Sequence, residues 1–227
     1  MSLHLVIGNK NYSSWSFRPW LAMKVAGIDF NETVISLDAA DFKTRLAALG
    51  GSGRVPVLID GEVRVWESLA ILEYLAEKFP DARLWPEQPA ARAHARATAS
   101  EMHAGFVSLR RHLPMNVARP VKSRPLDAGS AKDVGRIDAI WSDCRTNYGA
   151  SGPFLFGAFS AADAMFAPVV WRLHTYAVEV SPTALSYMRA VMTLPAWQEW
   201  RDAARRETWV LAEDEVDWPE VLRDEDL

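Results

Sequence analysis

The pattern of apolar residues changes once along this 227-residue chain, near Trp85. Before that point, strand-like and helix-like patterns alternate. LHLVIG and ETVISL are typical of strands. The segment from Phe17 to Ala26, which ends at Gly27, is typical of a helix, and so is DFKTRLAALGG, which Gly50 and Gly51 close.

Two more apolar runs flank Asp60-Gly61 in VPVLIDGEVRVW, and this dipeptide is favoured in tight hairpin turns. A helix then begins at Ser68 and stops at Pro80. The order βαβα-ββα implies a mixed sheet with helices on its faces. The sequence therefore predicts an α/β domain over residues 1–82.

Strand patterns stop after the proline-rich linker FPDARLWPEQPA. One long helix is predicted from Ala90 to Leu113, where Pro114 interrupts it, and another from Ala131 to about Tyr148. Further helices are predicted to begin near Ser160, Pro182 and Pro195. The second part of the chain is thus predicted to be an all-helical domain over residues 90–227, with an acidic, loosely held tail.

Composition narrows the partners that this chain is expected to have. A net charge of −4 and a pI near 5.8 give no basic footprint for nucleic acid. No apolar run reaches the length of a membrane span, and the start MSLHLVIGNK lacks the pattern of a secretory signal. Cys144 is the only cysteine, and the five histidines lack compact ligand spacing, so no metal site is expected. These features favour a cytoplasmic protein.

The segment RVPVL places Pro56 at the start of an apolar strand. The residues alone favour an ordinary edge-strand proline, whose missing N–H is tolerated there. A cis Val-Pro bond is the alternative. It would turn the N–H and C=O of Val55 outward, ready to pair with an extended peptide.

The segment WESLAILEYL joins Glu67 to Ser68 at a predicted helix start. Ser68 is a good N-cap residue, and capping alone explains it. The acidic neighbour allows a second interpretation, in which the pair binds a zwitterion. Glu67 would hold the ammonium, and Ser68 with the helix N-terminus would hold the carboxylate.

Three serines stand in SSWSFRPW, between the first strand and the first helix. Ser16 is a possible cap, because Pro19 would then fall in the first turn, although Arg18 before the proline is also possible. Helix capping does not explain Ser13 and Ser14. Without a histidine near in sequence they are poor nucleophiles, but a hydroxyl needs no base to donate a hydrogen bond to a bound anion.

Two features of the second half have simple structural interpretations. Ser160 to Asp163 (SAAD) is typical of a capping box, with Phe159 as its apolar staple residue. Arg110 and Arg111 are typical of a solvated helix face, although their nearness to Met115 leaves a ligand role open.

Together these pieces resemble a soluble glutathione transferase over nearly the whole chain. The family has a thioredoxin-like N-terminal domain and an all-helical C-terminal domain. The resemblance lies in the order βαβα-ββα, RVPVL, the ESLAILEYL helix, the linker and the SAAD box. SSWSFR is similar to the zeta-class serine motif, which usually reads S-S-C-S-x-R.

The resemblance implies a glutathione site. Val55 would pair with the backbone of the glutathione cysteine, with Pro56 cis. Glu67 and Ser68 would hold the γ-glutamyl group, and Ser13 or Ser14 would face the thiol. Lys43 is a further candidate, for the glycine carboxylate. Lowering a thiol pKa from about 8.5 by about two units takes roughly 2.7 kcal/mol, which one charged hydrogen bond and a helix N-terminus can supply.

The resemblance also implies a homodimeric enzyme that adds the glutathione thiolate to a small hydrophobic electrophile. Residues expected around that electrophile are Tyr12, Trp15, Arg111 and Met115. Trp15 replaces the cysteine of the zeta motif, which places zeta-type isomerase and thiol-exchange activity in question. A glutathione-dependent isomerase of a maleyl-type diacid is one alternative, which arginines in the pocket would favour. A non-catalytic binding or regulatory protein of the same fold is the other.

Overall fold

A four-stranded mixed sheet forms the first half of the chain in the computed structural model, which describes residues 2–50 and 53–224. The strands are β1 (Leu3–Ile7), β2 (Phe30–Val34), β3 (Val57–Asp60) and β4 (Val63–Trp66). They lie in the order β2-β1-β3-β4. β1 and β2 are parallel, and the other two pairs are antiparallel. The predicted mixed sheet is confirmed.

Helices follow the strands in the predicted βαβα-ββα order, and only helices and turns follow Lys78 among the elements of the described chain. In the first half they are α1 (Ser14–Val25), α2 (Phe42–Leu49) and α3 (Ser68–Lys78). In the second half they are α4 (Pro89–Ala104), α5 (Val107–His112), α6 (Ala128–Tyr148), α7 (Ala161–Thr175), α8 (Pro182–Met192) and α9 (Pro195–Arg205). The predicted fold class is confirmed.

Local turn signals explain most of the element ends. Gly27 and Gly50 follow α1 and α2 with φ of 65° and 78°, a conformation that glycine adopts without steric cost. Gly61, with φ 57°, begins the two-residue turn between β3 and β4. Gly51, also expected to close α2, lies outside the described residues.

Helix α1 begins earlier than the sequence indicates. Ser13, not Ser16, occupies the N-cap position, and its carbonyl accepts from the N–H of Phe17 at 3.2 Å. Pro19 therefore lies inside the helix rather than in its first turn. The Ser16 hydroxyl accepts from the backbone N–H of Gly8 at 3.1 Å, so it ties the end of the β1 segment to α1. Both cap positions expected from the sequence, Ser16 and Arg18, are therefore wrong.

The prediction of one long helix from Ala90 to Leu113 is also wrong, because the helix is interrupted at Gly105 and Phe106. Phe106 has φ 59°, which ends α4 and reorients α5. Arg110 reaches back across the break and donates to the carbonyl of His103 at 3.1 Å. The break separates α5 from α4 and turns Arg110 toward the interior.

The acidic tail is packed against the rest of the chain as far as residue 224, which corrects the expectation that it is loosely held. Glu215 is buried, and its carboxylate accepts from Asn116 Nδ2 at 2.9 Å. Asp217 accepts from Arg119 Nη2 at 2.8 Å, and Asp224 pairs with Arg205. These three acidic side chains attach the segment because each one meets a buried or half-buried donor.

One continuous apolar core joins the sheet half to the helical half. Much of the contact between them is aromatic, since Phe17 on α1 packs edge-on against Trp197 on α9 with 5.6 Å between ring centroids. Trp197 in turn stacks on Trp171 of α7 at 4.1 Å. The capping box that opens α7 is confirmed: Ser160 N donates to Asp163 Oδ2 at 2.8 Å. Helix α1, with its serines, is therefore fixed between the two halves.

Candidate active site

The Val55–Pro56 peptide bond is cis, as the resemblance implied. Val55 lies just before β3, outside the register of that strand with its neighbours. Together these two residues line a cavity of about 390 Å³, which we call the Pro56 cavity. Its other lining residues are Trp15, Arg54, Glu67, Ser68, His103 and Arg110. The residues expected around a γ-glutamyl group and a cysteine backbone thus face one space.

A second cavity of about 360 Å³ adjoins the first, and we call it the serine cavity. It is lined by Tyr12, Ser13, Ser14, Leu37, Phe42, Met115, Arg172 and Asp214, together with Trp15, Arg54, Val55 and Arg110, which it shares with the Pro56 cavity. Val55 therefore lies where the two cavities meet. A molecule bound along Val55 can occupy both.

The two candidate serines differ in their hydrogen bonds. Ser13 donates to Ser16 Oγ at 2.7 Å, which uses its only proton inside the protein. Ser14, the first residue of α1, accepts from Arg172 Nη2 at 3.2 Å and donates to no described residue. Its proton is free to point into the serine cavity. The geometry favours Ser14 as the donor to a bound anion.

Tyr12 lines the same cavity, but its phenol is already engaged. The hydroxyl donates to Glu215 at 2.5 Å and accepts from Arg223 Nη2 at 2.9 Å. Burial, followed by the bond to Glu215, raises the pKa of Tyr12 to about 12. The phenol therefore stays neutral, and its proton is used in a hydrogen bond within the protein.

Trp15 lies between two guanidinium groups. Arg18 Cζ lies 4.1 Å from the indole centroid and Arg110 Cζ lies 4.8 Å from it, distances at which cation–π attraction is favourable. Arg18 is buried and reaches Ser68 Oγ at 3.3 Å through Nη1, while its Nε has no partner among the described residues. Trp15 therefore helps to fix the position of the Arg18 guanidinium, which contacts Ser68.

Three arginines give this region an excess of positive charge. Burial and the neighbouring guanidiniums of Arg110 and Arg172 lower the pKa of Arg18. Burial likewise lowers the pKa of Arg110, and that of Arg172 to about 10. All three are charged, because a guanidinium keeps its proton at neutral pH in proteins. No carboxylate among the described residues forms a salt bridge with any of them. Such a site favours anionic ligands.

Two of the residues singled out in the sequence lie outside both cavities. Lys43 is exposed on α2. Arg111 is exposed on α5, whereas Arg110, one position earlier, lines both cavities, because the break at Phe106 directs Arg110 inward. The assignment to the pocket thus moves from Arg111 to Arg110. Met115 and Trp15 line the serine cavity.

Sequence reasoning missed Arg54, His103, Arg172 and Asp214, which also line the site. Arg54 is the first residue of RVPVL and adjoins the Val55–Pro56 bond, and this position was the one available signal. The His103 ring meets the Trp15 ring edge-on at 5.2 Å, and its Nε2 lies 3.6 Å from Glu67. Burial, and then the charge of Arg18, lowers the pKa of His103, so this ring is neutral at neutral pH.

No group of three or more His, Cys, Asp or Glu side chains suited to hold a metal ion lies within residues 2–50 and 53–224. Within those same ranges, no helix is both long and apolar enough to cross a membrane.

Comparison with known proteins gives the family. Residues 12–78 match the model for the glutathione S-transferase N-terminal domain, and residues 89–203 match the model for the C-terminal domain. The chain belongs to the glutathione S-transferase family. The two matches place the Val55–Pro56 bond and the serines in the first family domain, and Arg110 and Arg172 in the second.

Individual relatives are similar to this chain over different lengths. A probable maleylacetoacetate isomerase of Caenorhabditis elegans is 37% identical over 98 residues, 43% of this chain and 45% of that protein. A stringent starvation protein A homolog of Haemophilus ducreyi is 26% identical over 61% of each chain. The chain thus spans less than two thirds of the length of either relative.

Among solved structures, a glutathione transferase homolog from Burkholderia with bound glutathione has a TM-score of 0.66 at 22% identity. The match covers 90% of this chain and 98% of that one. At this identity the likeness shows a shared fold.

Proposed function

We propose that this protein binds glutathione, ionises its thiol and adds the thiolate to an electrophilic carbon. One observation carries the proposal: Val55 lies at the junction of the cavity lined by Glu67 and Ser68 and the cavity lined by Ser13 and Ser14. A tripeptide paired with Val55 through its central residue reaches both sites at once. Membership in the glutathione S-transferase family supports the same conclusion.

In this proposal the γ-glutamyl group occupies the Pro56 cavity. Its ammonium pairs with the Glu67 carboxylate, and its carboxylate binds Ser68 at the N-terminus of α3. Arg18, whose Nη1 lies 3.3 Å from Ser68 Oγ, adds a buried positive charge behind that carboxylate. For the glycine carboxylate we propose Arg54, which lines both cavities, ahead of Lys43, which lines neither.

The thiol then lies in the serine cavity, beside Ser14. A hydrogen bond from Ser14 to the thiolate contributes roughly 1.5–3 kcal/mol, and the N-terminus of α1 contributes about 0.3–1 kcal/mol. Together they supply the roughly 2.7 kcal/mol that a pKa two units below about 8.5 requires. Arg172 donates to the same hydroxyl oxygen, which polarises the O–H bond and makes Ser14 a stronger donor.

The electrophile occupies the rest of the serine cavity, against Trp15 and Met115. Arg54, Arg110 and Arg172 line this same space, and guanidinium groups bind carboxylates with two parallel hydrogen bonds. This observation favours a second candidate function, glutathione-dependent cis-trans isomerisation of an unsaturated diacid. The C. elegans relative carries the name of a probable isomerase of that kind. A non-catalytic binding protein is the remaining alternative.

We further propose a division of labour between the two parts of the chain. Residues 1–82 hold glutathione, and residues 90–227 supply most of the electrophile pocket. A cytoplasmic homodimer with a role in detoxification is the expected setting, because family members are usually of this kind.

The test is a pH titration of the ultraviolet absorbance of the thiolate, with glutathione bound to wild type, Ser14→Ala and Ser13→Ala. We expect wild type to bind glutathione with a thiol pKa about two units below that of free glutathione, and Ser14→Ala to raise it by about 1–2 units. Ser13→Ala is the matched control and should shift the pKa of the bound thiol little. If wild type binds glutathione without ionising it, the transferase proposal fails and the binding protein becomes the better interpretation.

A parallel assay separates the two enzymatic candidates. Conjugation of a neutral aryl halide reports transferase activity, whereas the loss of a cis-diacid without formation of a conjugate reports isomerase activity. Arg110→Leu should reduce turnover of the diacid far more than turnover of the aryl halide, since only the diacid carries carboxylates for the guanidinium to bind. Equal losses of the two activities would count against the isomerase and favour the transferase.

A further inference from the structure

The serine cavity contains a carboxylate that the proposed function does not use. Asp214 belongs to a single 3-10 turn, Ala212–Asp214, in the C-terminal segment. It lines the same cavity as Ser14 and Arg172. Its side chain is half-buried and forms no hydrogen bond or salt bridge with another residue in the described ranges 2–50 and 53–224.

Ionisation of a thiol releases a proton, and the groups around the thiol differ in their ability to take it. The titratable side chains that line the serine cavity are Tyr12, Arg54, Arg110, Arg172 and Asp214. The guanidiniums are already protonated, and the Tyr12 phenol is neutral with its proton on the bond to Glu215. Ser14 can only donate to the thiolate. His103 lines the Pro56 cavity and not the serine cavity. Asp214 is the base that remains.

The electrostatic surroundings give Asp214 a suitable proton affinity. Arg172 on α7 faces it, and Glu213 and Glu215 flank it in its own segment. Burial, and then the two neighbouring carboxylates, raises the pKa of Asp214 to about 6 against the opposing charge of Arg172. A carboxylate with this pKa is mostly ionised at neutral pH, yet it binds a proton far better than an exposed aspartate does. A general base works best with a pKa near the operating pH.

We infer that Asp214 accepts the thiol proton of bound glutathione and returns it to the adduct. This inference rests on the proposed function and adds the route of the proton. In the first step the S–H bond breaks, its electron pair stays on sulfur, and an O–H bond forms on Asp214. The thiolate then bonds to the electrophilic carbon of an activated double bond, and the π electrons move to the adjacent carbon. That carbon takes the proton from Asp214, which is ionised again.

The charges balance at each stage. Before transfer, Asp214 carries the negative charge in the cavity, and after transfer the thiolate carries it. Arg172 serves as the counter-ion in both states, because it faces Asp214 and donates to Ser14. Asp214 and the glutathione thiol are coupled in this way, so they titrate as a pair. The thiolate that forms also raises the proton affinity of Asp214, because a nearby like charge disfavours ionisation. Binding of glutathione should therefore keep part of the thiol proton inside the site.

The experiment measures proton release on glutathione binding in weakly buffered solution with a pH indicator. We expect release to be clearly sub-stoichiometric in wild type and close to stoichiometric in Asp214→Asn. The matched control is Glu220→Gln, which removes an exposed carboxylate of the same C-terminal segment that is not among the charges acting on Asp214, and it should behave as wild type. Equal release from wild type and Asp214→Asn would overturn the inference.

Kinetics give a second readout. For an electrophile with an activated double bond, kcat/KM of Asp214→Asn should fall by about 10²-fold, the lower end for general acid–base catalysis, and its pH profile should keep only the acidic limb that ionisation of the bound thiol produces. Asp214→Glu, which keeps a base, should restore part of the rate and the contribution of the carboxylate to the acidic limb. If Asp214→Asn and wild type share one pH profile, Asp214 is not the base. Failure of wild type to ionise glutathione would instead count against the proposed function.

Discussion

The phenol of Tyr12 donates to the carboxylate of Glu215, 203 residues later in the chain, across 2.5 Å. Arg223 donates to both groups, at 2.9 Å to each. Asn116 Nδ2 completes the set by donating to Glu215 at 2.9 Å. This network fastens the C-terminal segment beside the serine loop, and it removes the one phenol of the serine cavity from reach of a bound thiol.

Replacing Tyr12 by Phe should therefore leave the pKa of bound glutathione unchanged while it destabilises the protein. The variant leaves the buried Glu215 carboxylate with one donor fewer, which costs about 1–3 kcal/mol of unfolding free energy. Thiolate absorbance against pH and urea unfolding measure the two effects. Tyr74→Phe is a matched control, because that phenol bonds to Asp60 at 2.7 Å in a more exposed place. A rise in the thiol pKa as large as that of Ser14→Ala would identify Tyr12 as the donor.

Arg172 should influence the thiol through Ser14, which accepts from its Nη2. We expect Arg172→Met to raise the pKa of bound glutathione by about one unit, the lower end for a nearby opposite charge. Arg172→Lys keeps the charge and should show a smaller rise. Arg111→Met, which removes an exposed guanidinium outside both cavities, should show none. The same titration that tests Ser14 makes this measurement, and equal shifts in the two methionine variants would indicate only a change in overall charge.

Local signals predicted the sheet correctly, because neighbours in sequence determine its strands and turns. The turn at Asp60-Gly61 and the stop at Gly27 each depend on a few adjacent positions. Ser14 could not be separated from Ser13 in this way, since the distinction depends on Arg172 on a distant helix. Pro19 misled the assignment of the α1 cap because tertiary packing tolerates a proline inside that helix.

The residues that sequence reasoning missed come from long-range packing. Arg110 and Arg111 look alike in sequence, and the left-handed Phe106 decides which of them faces inward. The acidic tail looks solvated by composition, yet Glu215 is 5% exposed because Asn116 and Arg223 lie where it docks. Asp214 enters the site only because that tail is docked. Such contacts are not encoded in local periodicity.

Asp163 should make stability depend on pH. Burial raises its pKa to about 6, although hydrogen bonds from Leu155 and Ser160 act in the opposite direction. The folded state then binds a proton more tightly than the unfolded chain does, so this contribution to stability is complete below the ordinary pKa of 3.8 and is lost as pH rises to about 6.

We therefore expect the unfolding free energy of wild type, measured relative to Asp163→Asn, to fall between about pH 4 and about pH 6. The fall should be of the order of 3 kcal/mol, at about 1.4 kcal/mol for each pKa unit. Asparagine stays neutral throughout and serves as the reference, and urea unfolding at a series of pH values makes the measurement. A difference that grows with pH would mean that the capping-box bonds outweigh burial and that the pKa of Asp163 is depressed.

Two glycines should respond to alanine with opposite signs. Gly135 lies in the middle of α6 on its exposed side, and an added Cβ would have nothing within 4 Å. Gly135→Ala should therefore stabilise the protein by about 0.8–1 kcal/mol, the difference in helix propensity. At Gly152 the added Cβ would lie 2.4 Å from the carbonyl oxygen of Gly157, a backbone atom that cannot move alone. Gly152→Ala should destabilise by about 1–3 kcal/mol.

Urea unfolding of both variants measures these changes in stability. Glutathione binding is measured beside it to check that the site is intact. Binding should be unchanged in Gly135→Ala, because neither the helix face of Gly135 nor its neighbours line either cavity. If Gly152→Ala were as stable as wild type, the turn that leads from α6 to α7 would have to be looser than the bridges between Phe154 and Gly157 indicate. That turn sets the start of α7, and α7 carries Arg172 to Ser14. A loose turn would therefore also weaken the effect expected for the Arg172 variants.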